Sequence, residues 1–598
     1  MMLSRRNLLL VAGCSGIGAC ATSSSSGPPL DARLDALYDR WLDESPHNAT
    51  AYGLDTGAHA GLRTRWPQRS REQAQTLARG YTVALDELRS LPDSGLDAEQ
   101  RATREAALFA LQCAVDGAAF SYGDQTLMPM IDQEATPYPI NQMIGLAASG
   151  PQLLAAQQPL ASAQDQEAFI ERLAALGPAI DAETRWFRDD AAGGVRPPRF
   201  ILATMQTQLE SMLATPPAQA RVTSAYGAAA RDTSRVAALL ERQVYPALAR
   251  QRDAVVQALP AASDAAGIAH LPDGQRYYAW ALRMSTSTTM SPRDVHALGL
   301  ELSRDIASQL DTLLKKQGLT QGSVGQRLAA LAGDVRHQFT ADEAGRREAI
   351  AYCNVWVDRL RAAMPAWSAL GLKAPVRVER VPPEREAGAA GAYMALGAFD
   401  GSRPSVFYLN LRDTKSWPRW ALPTLVAHET IPGHVWQEAF EMEVARRHPI
   451  RSLLRFNGYS EGWALYAEHL VDAGGFYDED PLARIGFLQA QQLRAVRLVV
   501  DTGLHAFGWT RDRAMQALAE ATGRPLGAVG GEIDRYCVKP GQACGYMIGQ
   551  MELLRLRKQR TGPGQAQTVA FNDEVLRAGN LPLTVLDGVI GSASRSPR

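Results

Sequence analysis

Cysteine is scarce in this sequence. Six cysteines occur in 598 residues, two of them within the first 20. The other four are too few for a disulfide framework, and no pair has the Cys-x-x-Cys spacing of common zinc and redox sites. Cys537 and Cys544 could pair in an oxidising compartment, but a spacing of seven residues says nothing about geometry. We therefore expect all four to be buried small hydrophobic residues, namely Cys113, Cys353, Cys537 and Cys544.

An excess of charge of one sign is also missing. Lysine and arginine total 62 against 63 aspartate and glutamate, for a net charge of -1. Nucleic-acid binding depends on neutralising phosphates, so we expect no nucleic-acid partner. The 46% hydrophobic and 21% charged residues are ordinary for a folded protein, which excludes wholesale disorder and a polytopic membrane protein.

Long hydrophobic runs are lacking near the N-terminus, where the apolar stretch Leu8–Ala19 is too short to cross a bilayer as a helix. Its length is typical of a signal-peptide core, and Arg5 and Arg6 before it suggest twin-arginine export. Cys14 and Cys20 both follow small residues and resemble lipobox cysteines. We favour lipidation at Cys20, because cleavage before Cys14 would leave a very short apolar core.

The leader defines the predicted location of the protein. We assign residues 1–19 to the signal peptide and residues 20–29, which are polar and rich in serine, to a flexible tether. The prediction is a periplasmic protein of the bacterial cell envelope, held at the membrane by an N-terminal lipid anchor. The alternative is a cleaved signal peptide and a secreted soluble protein.

The remaining residues, 30–598, favour an all-α fold. Apolar residues recur at helical spacing over long stretches, and Ser291 followed by Pro292 is typical of a helix start. Strand signals are sparse, and two extended runs, Val376–Val381 and Ser405–Leu411, predict a small β-hairpin. We find no internal repeat, so the sequence fits one domain or two lobes around a cleft, with the motif-bearing part at about 376–560.

The chemistry concentrates in the segment Leu425–His434, which reads LVAHETIPGH. In the usual His-Glu-x-x-His zinc motif, two histidines four residues apart share one helical face, and the glutamate polarises a metal-bound water. Here His428 and His434 are six apart, which places them roughly 120° apart on a straight helix. The motif therefore requires a local distortion, which Pro432 and Gly433 can supply.

A third ligand is expected on a second helix downstream. Glu461 and Glu468 lie seven residues apart and therefore on one helical face. We choose Glu461 as the ligand, 27 residues after His434, and expect Glu468 to orient a ligand histidine. The prediction is one Zn²⁺ bound by His428, His434 and Glu461, with Glu429 as the general base that activates water.

These motifs resemble those of the bacterial family known as domain of unknown function 885. The resemblance rests on HETIPGH at His428–His434, SEGWALY at Ser460–Tyr466, DGSRP at Asp400–Pro404, VDTGLH at Val500–His505 and PGQA at Pro540–Ala543. That family is similar in turn to thimet-oligopeptidase-like and carboxypeptidase Taq-like zinc peptidases. The resemblance implies a zincin-like helical architecture and hydrolysis of short peptides.

One position departs from the family pattern. Many members have a histidine directly after the second histidine of the motif, where this chain has Val435. If that later histidine were the essential ligand, the metal site would be deficient. We assign the ligand role to His434.

Peptide hydrolysis also builds negative charge on the carbonyl oxygen, which a hydrogen-bond donor must stabilise. The candidates are Tyr546, which resembles the C-terminal tyrosine of the analogous peptidases, and His505. Tyr546 fits a role as a core aromatic residue equally well. Three arginines could bind a substrate carboxylate, although arginines on such helices are more often solvated or paired; they are Arg494, Arg497 and Arg535.

Two other functions remain open. The run Gly458–Gly462 fits the Gly-x-Ser-x-Gly pattern of a serine hydrolase with Ser460 as nucleophile, preceded by a possible strand at Leu453–Phe456. Against this reading, the chain lacks alternating strands and helices. The protein could also be a catalytically silent lipoprotein that binds peptides or scaffolds an envelope complex, as Val435 would permit.

Overall fold

The computed structural model describes residues 30–124, 136–372, 375–383, 386, 391–395, 404–443, 447–560 and 564–590. The predicted signal peptide, Cys20 and the tether lie outside the described residues. So do residues 400–403, which form most of one motif that resembles the family.

The described chain is mainly helical, which confirms the all-α prediction. None of these helices has the length and apolarity needed to cross a membrane. The α-helices are α1 (Leu30–Glu44), α2 (Pro46–Ala51), α3 (Arg71–Arg89), α4 (Ala98–Gly117), α5 (Leu146–Ala156), α6 (Ala163–Ala192), α7 (Arg199–Ala214), α8 (Arg221–Ala229), α9 (Ser234–Leu239), α10 (Tyr245–Ala258), α11 (Gly274–Thr286), α12 (Pro292–Lys316), α13 (Val324–Ala332), α14 (Glu343–Ala363), α15 (Leu422–Glu429), α16 (His434–Glu443), α17 (Asn457–Ala473), α18 (Pro481–His505), α19 (Arg511–Thr522), α20 (Leu526–Val538), α21 (Gly545–Arg560), α22 (Gln565–Ala578) and α23 (Leu583–Val589).

Shorter helical segments join several of these helices. A π-helical segment, Leu240–Val244, connects α9 to α10. The 3₁₀ segments are Gly57–Thr64, Pro217–Gln219, Leu259–Ala261, Val335–His337, Met364–Ala366, Thr414–Ser416, Arg419–Ala421, Pro449–Ser452 and Gln542–Cys544.

Helix α12 begins as its sequence predicts. The Ser291 hydroxyl accepts a hydrogen bond from the backbone N–H of Asp294 at 3.2 Å, which satisfies one of the free donors of the first turn. Pro292 occupies the first helical position, where its missing N–H costs nothing. Leu310 and Leu314, four residues apart, are fully buried on one face. Caps and apolar spacing therefore account for this helix locally.

The predicted β-hairpin is wrong. The structure has a three-stranded sheet in the order β1-β3-β2, formed by β1 (Arg377–Arg380), β2 (Ala392–Ala395) and β3 (Val406–Leu409). Strands β1 and β3 pair in parallel, and β2 pairs antiparallel with β3. A tight turn cannot join a parallel pair, so the chain between them makes a longer connection that includes β2. The sequence signal missed β2 because two of its four residues are alanine, which is depleted in strands.

One hydrophobic cluster connects the N-terminal helices to the motif-bearing helices. It contains Trp41 of α1 and Leu111 of α4 together with Trp436 and Trp463 of the motif region, all fully buried. The four cysteines of the body are free and buried, which confirms their predicted role and rules out the Cys537–Cys544 pairing.

Helices α17 and α21 approach so closely that glycine is required at their contact. A Cβ atom at Gly549 would lie 1.9 Å from the Gly458 carbonyl oxygen, and one at Gly462 would lie 2.5 Å from the Gly549 Cα. Both helices carry candidate site residues, Glu461 on α17 and Tyr546 on α21. The glycine contact therefore sets the distance between two walls of the site.

Replacing Gly549 with alanine is expected to destabilise the protein by about 1–3 kcal/mol, because the added methyl group must push two backbones apart. Chemical denaturation measures the change. Gly531→Ala is the matched control, since Gly531 also lies within a helix but a Cβ there meets nothing within 4 Å. Equal stability of the two variants would contradict the close-packing argument.

Candidate metal centre

Three predicted ligands converge on one point. Potential ligand atoms of His428, His434 and Glu461 all lie within 4.8 Å of one another. Glu461 Oε2 is 3.5 Å from His428 Nε2 and 3.3 Å from His434 Nε2. The two imidazole rings are nearly perpendicular, with centroids 4.9 Å apart. Two imidazole nitrogens and one carboxylate oxygen thus face a common position.

The convergence depends on a break in the helix, as the sequence predicts. Helix α15 ends at Glu429, and Thr430 departs from helical geometry with φ -117° and ψ -99°. The chain then folds back, so that a Cβ at Gly433 would lie 1.9 Å from the His428 carbonyl oxygen. Only glycine fits this approach, and α16 starts immediately after it at His434. The break removes the 120° offset that a straight helix would impose.

The position after His434 has a different environment. Val435 is fully buried and does not line the cavity around the three ligands. A histidine at this position would replace a core side chain, whereas His434 faces Glu461. The geometry is therefore consistent with His434 as the ligand-type residue of the pair.

The donor set fits a cation. Glu461 Oε2 is buried and makes no hydrogen bond of normal geometry within the described part of the chain. Burial raises the pKa of Glu461, but His434 and His428 outweigh this effect and hold it well below its usual range. Burial lowers the pKa of His434, yet Glu461, Glu429 and Glu438 raise it to about 9. The carboxylates around His434 thus favour positive charge at this position.

Glu468 contacts His428 at Nδ1, the ring nitrogen that does not face Glu461. Its Oε1 is 2.9 Å from His428 Nδ1, which leaves Nε2 directed at Glu461. The other oxygen of Glu468 accepts a hydrogen bond from Thr424 at 2.9 Å. Such a carboxylate fixes the tautomer and the orientation of a ligand histidine. His434 has no equivalent, since no described carboxylate lies within ion-pair distance of its Nδ1.

A cavity of about 340 Å³ opens beside the three ligands. Glu429, which follows His428 directly, is 8% exposed and lines it. The cavity wall also includes part of β2 and the first turns of α17 and α21. Its full lining consists of Tyr52, Ala392, Tyr393, Met394, His428, Glu429, His434, Glu438, Arg455, Asn457, Ser460, Glu461, Gln542 and Tyr546.

The two predicted oxyanion donors lie in different places. Tyr546 lines the cavity, with its ring parallel to that of His428 at a centroid distance of 6.3 Å. His505 is fully buried and is not part of the lining. Its Nδ1 accepts a hydrogen bond from the Ile268 N–H at 3.3 Å, and its Nε2 lies 3.0 Å from the Tyr536 carbonyl oxygen. The backbone therefore occupies both nitrogens of His505, whose place is structural.

Ser460 does not have the geometry of a serine-hydrolase nucleophile. Ser460 lies inside α17, and residues 453–456 before it form no strand. Its hydroxyl accepts a hydrogen bond from Asn580 at 2.7 Å. Asp501, the suggested acid, is fully buried and accepts hydrogen bonds from Tyr278 at 2.7 Å and from the Gly541 N–H. No histidine base is thus presented to Ser460 by the residues that the sequence suggested.

Some cavity residues were not found from the sequence. Glu438 and Arg455 form an ion pair at 2.9 Å in the cavity wall. Glu438 lies four residues after His434 and shares its helical face, which was an available signal. No sequence signal pointed to Arg455 or to the strand residue Tyr393, because their positions depend on contacts between distant segments.

The protein is thus a mainly helical protein that contains a buried cluster of two histidines and one glutamate. The chain belongs to the bacterial family of unknown function DUF885, whose model matches residues 46–590. No curated protein matches the sequence.

Two solved structures are similar to it. The "putative lipoprotein" of Colwellia psychrerythraea is 28% identical, with a TM-score of 0.89 over 94% of this chain and 98% of that one. A "putative lipoprotein of unknown function" from Shewanella oneidensis is 13% identical, with a TM-score of 0.66 over 94% of this chain and 100% of that one. The second likeness concerns the fold alone.

Proposed function

We propose that this protein is a zinc-dependent peptidase that hydrolyses short peptides in the bacterial cell envelope. The observation that carries the proposal is the convergence of His428 Nε2, His434 Nε2 and the otherwise unbonded Glu461 Oε2 beside Glu429 in a cavity. Two histidines and a glutamate are a known ligand set of catalytic zinc, which keeps a further coordination position open. When bound, zinc supplies Lewis acidity that polarises a carbonyl group and acidifies a water.

Glu429 is the proposed general base. Its carboxylate lines the cavity and follows a ligand histidine in sequence, so it faces the same space as the cluster. There it takes a proton from the attacking water on a carboxylate oxygen and passes that proton to the departing amine nitrogen. Burial in the cavity wall limits the access of bulk water to this transfer.

Tyr546 is the proposed oxyanion donor. Burial and the nearby Glu461 carboxylate raise the pKa of Tyr546 to about 12, so its hydroxyl remains protonated at neutral pH. A protonated phenol donates a hydrogen bond to the oxygen on which negative charge develops. The ring is held in place by Arg497, whose guanidinium carbon lies 4.5 Å from the ring centroid.

The envelope location rests on two supports. The leader contains Arg5, Arg6 and the lipobox-like Cys20. The similar protein from Colwellia psychrerythraea is described as a "putative lipoprotein". A lipid at Cys20 with the spacer 21–29 would hold the enzyme at the membrane while its cavity meets peptides in the periplasm.

Metal content is the first test. Purified wild-type protein is expected to bind about one zinc ion per chain, because the described residues contain one three-residue ligand set. His434→Ala is expected to lose this ion, because two remaining ligands hold zinc poorly. Elemental analysis after dialysis against trace zinc measures both.

The control is His469→Ala, which removes a partly buried histidine of α17 that is not in the cluster. This variant is expected to retain the ion. Equal zinc in wild type and His434→Ala would refute the ligand assignment. A wild-type protein that binds no divalent ion would leave the silent lipoprotein as the better description.

A further inference from the structure

Four arginines lie on or next to α18 and α20, and one of them, Arg497, lies over the ring of Tyr546. Arg494 and Arg497 lie on α18, Arg535 lies on α20, and Arg524 lies in the short link between α19 and α20. Arg524 interacts electrostatically with both Arg494 and Arg497. We call these four residues the arginine cluster.

The acidic groups around the arginine cluster do not balance its charge. Glu532 contacts Arg497 at 3.0 Å and Arg535 at 3.1 Å, so one carboxylate serves two guanidinium groups. Glu468, the other carboxylate in reach, is 3.6 Å from Arg494 and is already engaged with His428. Arg524 makes no side-chain hydrogen bond or ion pair with a described residue.

Buried donors in the arginine cluster also lack partners. Arg494 and Arg497 are only 8% and 7% exposed. Arg494 Nε and Arg497 Nη1 nevertheless make no hydrogen bond within the described residues. Leaving charged N–H groups buried and unsatisfied costs free energy, so such donors in a native protein call for an anionic or water partner.

The surroundings of Arg524 show how an anion could reach the arginine cluster. Its side chain is exposed to solvent, yet desolvation lowers its pKa, as does the charge of Arg494. Its exposure makes Arg524 the member of the arginine cluster that solvent reaches most readily. Gly523, with φ +70° and packed against the Gly325 carbonyl oxygen, ends α19 and turns the chain toward α18. Gln489 of α18 ties this turn down through a hydrogen bond to the Thr522 carbonyl oxygen at 2.7 Å.

Two residues connect the arginine cluster to the cavity of the metal centre. Tyr546 has Arg497 over its ring, and Gln542 accepts a hydrogen bond from Arg535. Both Tyr546 and Gln542 line the cavity. The ring of Tyr546 is 6.3 Å from that of His428 and 4.5 Å from the Arg497 guanidinium carbon, so it lies next to both groups.

We infer that the arginine cluster is the subsite for the C-terminal carboxylate of the substrate, which makes the protein a carboxypeptidase-type enzyme; this inference rests on the proposed function. Guanidinium groups bind carboxylates in paired hydrogen bonds, and a terminal carboxylate is present in every peptide whatever its sequence. The cluster thereby selects for chain ends.

The test measures binding without turnover. The full-length, zinc-loaded Glu429→Gln variant is titrated calorimetrically with a neutral tetrapeptide, with its C-terminal amide, and with an amide that carries glutamate at the last position. We expect the plain amide to bind about tenfold or more weakly than the free acid, since it lacks the charge-assisted hydrogen bonds. Adding Arg524→Gln should abolish this preference, whereas Arg513→Gln, an exposed arginine of α19, should keep it.

Three outcomes would overturn the inference. The first is equal binding of acid and amide, and the second is an unchanged preference in Arg524→Gln. The third is full rescue of amide binding by the glutamate side chain, which would show that the cluster binds acidic side chains instead. In the active enzyme, Arg524→Gln should raise KM for free-acid peptides and change kcat little. Selective binding of the free acid by a wild-type protein that hydrolyses no peptide would refute the proposed function and leave the carboxylate subsite standing.

Discussion

Glu429→Gln is expected to lower kcat for peptide hydrolysis by about 100- to 10,000-fold, the usual contribution of a general base. The amide keeps the shape of the side chain but cannot accept a proton from water. Zinc content should stay at the wild-type level, because Glu429 is not one of the three converging ligands. Steady-state kinetics and elemental analysis on the same preparation check both statements.

Ser460→Ala is the matched control for this experiment. Ser460 lines the same cavity, and its hydroxyl is the nucleophile of the alternative serine mechanism. We expect this variant to keep most of its activity. Near-normal turnover in Glu429→Gln would remove the general-base role, and a zinc-loaded but inactive Ser460→Ala would favour the serine hydrolase.

Tyr546→Phe is expected to lower kcat by on the order of 100-fold or more, the scale for loss of one oxyanion donor. The ring and its contacts with Arg497 and His428 remain, so folding and zinc binding should be unaffected. A donor that acts on developing charge strengthens in the transition state, so KM should change much less than kcat.

Tyr393→Phe removes a hydroxyl from another residue that lines the cavity and serves as the control. Its kcat should remain close to that of the wild type. If Tyr546→Phe is as active as this control, Tyr546 is only a packing residue. His505→Ala should act mainly on stability, because both nitrogens of His505 face backbone groups of residues that do not line the cavity.

Much of the candidate site could be read from local sequence. The histidine pair, the adjacent glutamate and the Pro432–Gly433 break lie within seven residues, and the physical need for a break follows from helix geometry alone. The choice of Glu461 required one further step, the spacing along a second helix. Glu468 followed from the same helical face.

Other features could not be read in this way. The strands Arg377–Arg380 and Val406–Leu409 were located correctly in sequence, but their parallel pairing depends on the path of the chain between them. Tyr546 and His505 were both candidate oxyanion donors as isolated residues, and the resemblance favoured Tyr546. Only the packing of α18 and α21 placed one in the cavity and the other against the backbone of residues 268 and 536.

The sequence by itself determined the helical class, the buried cysteines and the interrupted His-Glu motif, because caps, apolar spacing and backbone restrictions act over a few residues. The tertiary structure alone decided that both histidines approach Oε2 of Glu461, that α17 and α21 meet at their glycines, and that Arg497 lies over the ring of Tyr546. These features join segments up to 91 residues apart, as Gly458 and Gly549 are. Their positions follow from how whole helices pack, and no local pattern records that packing.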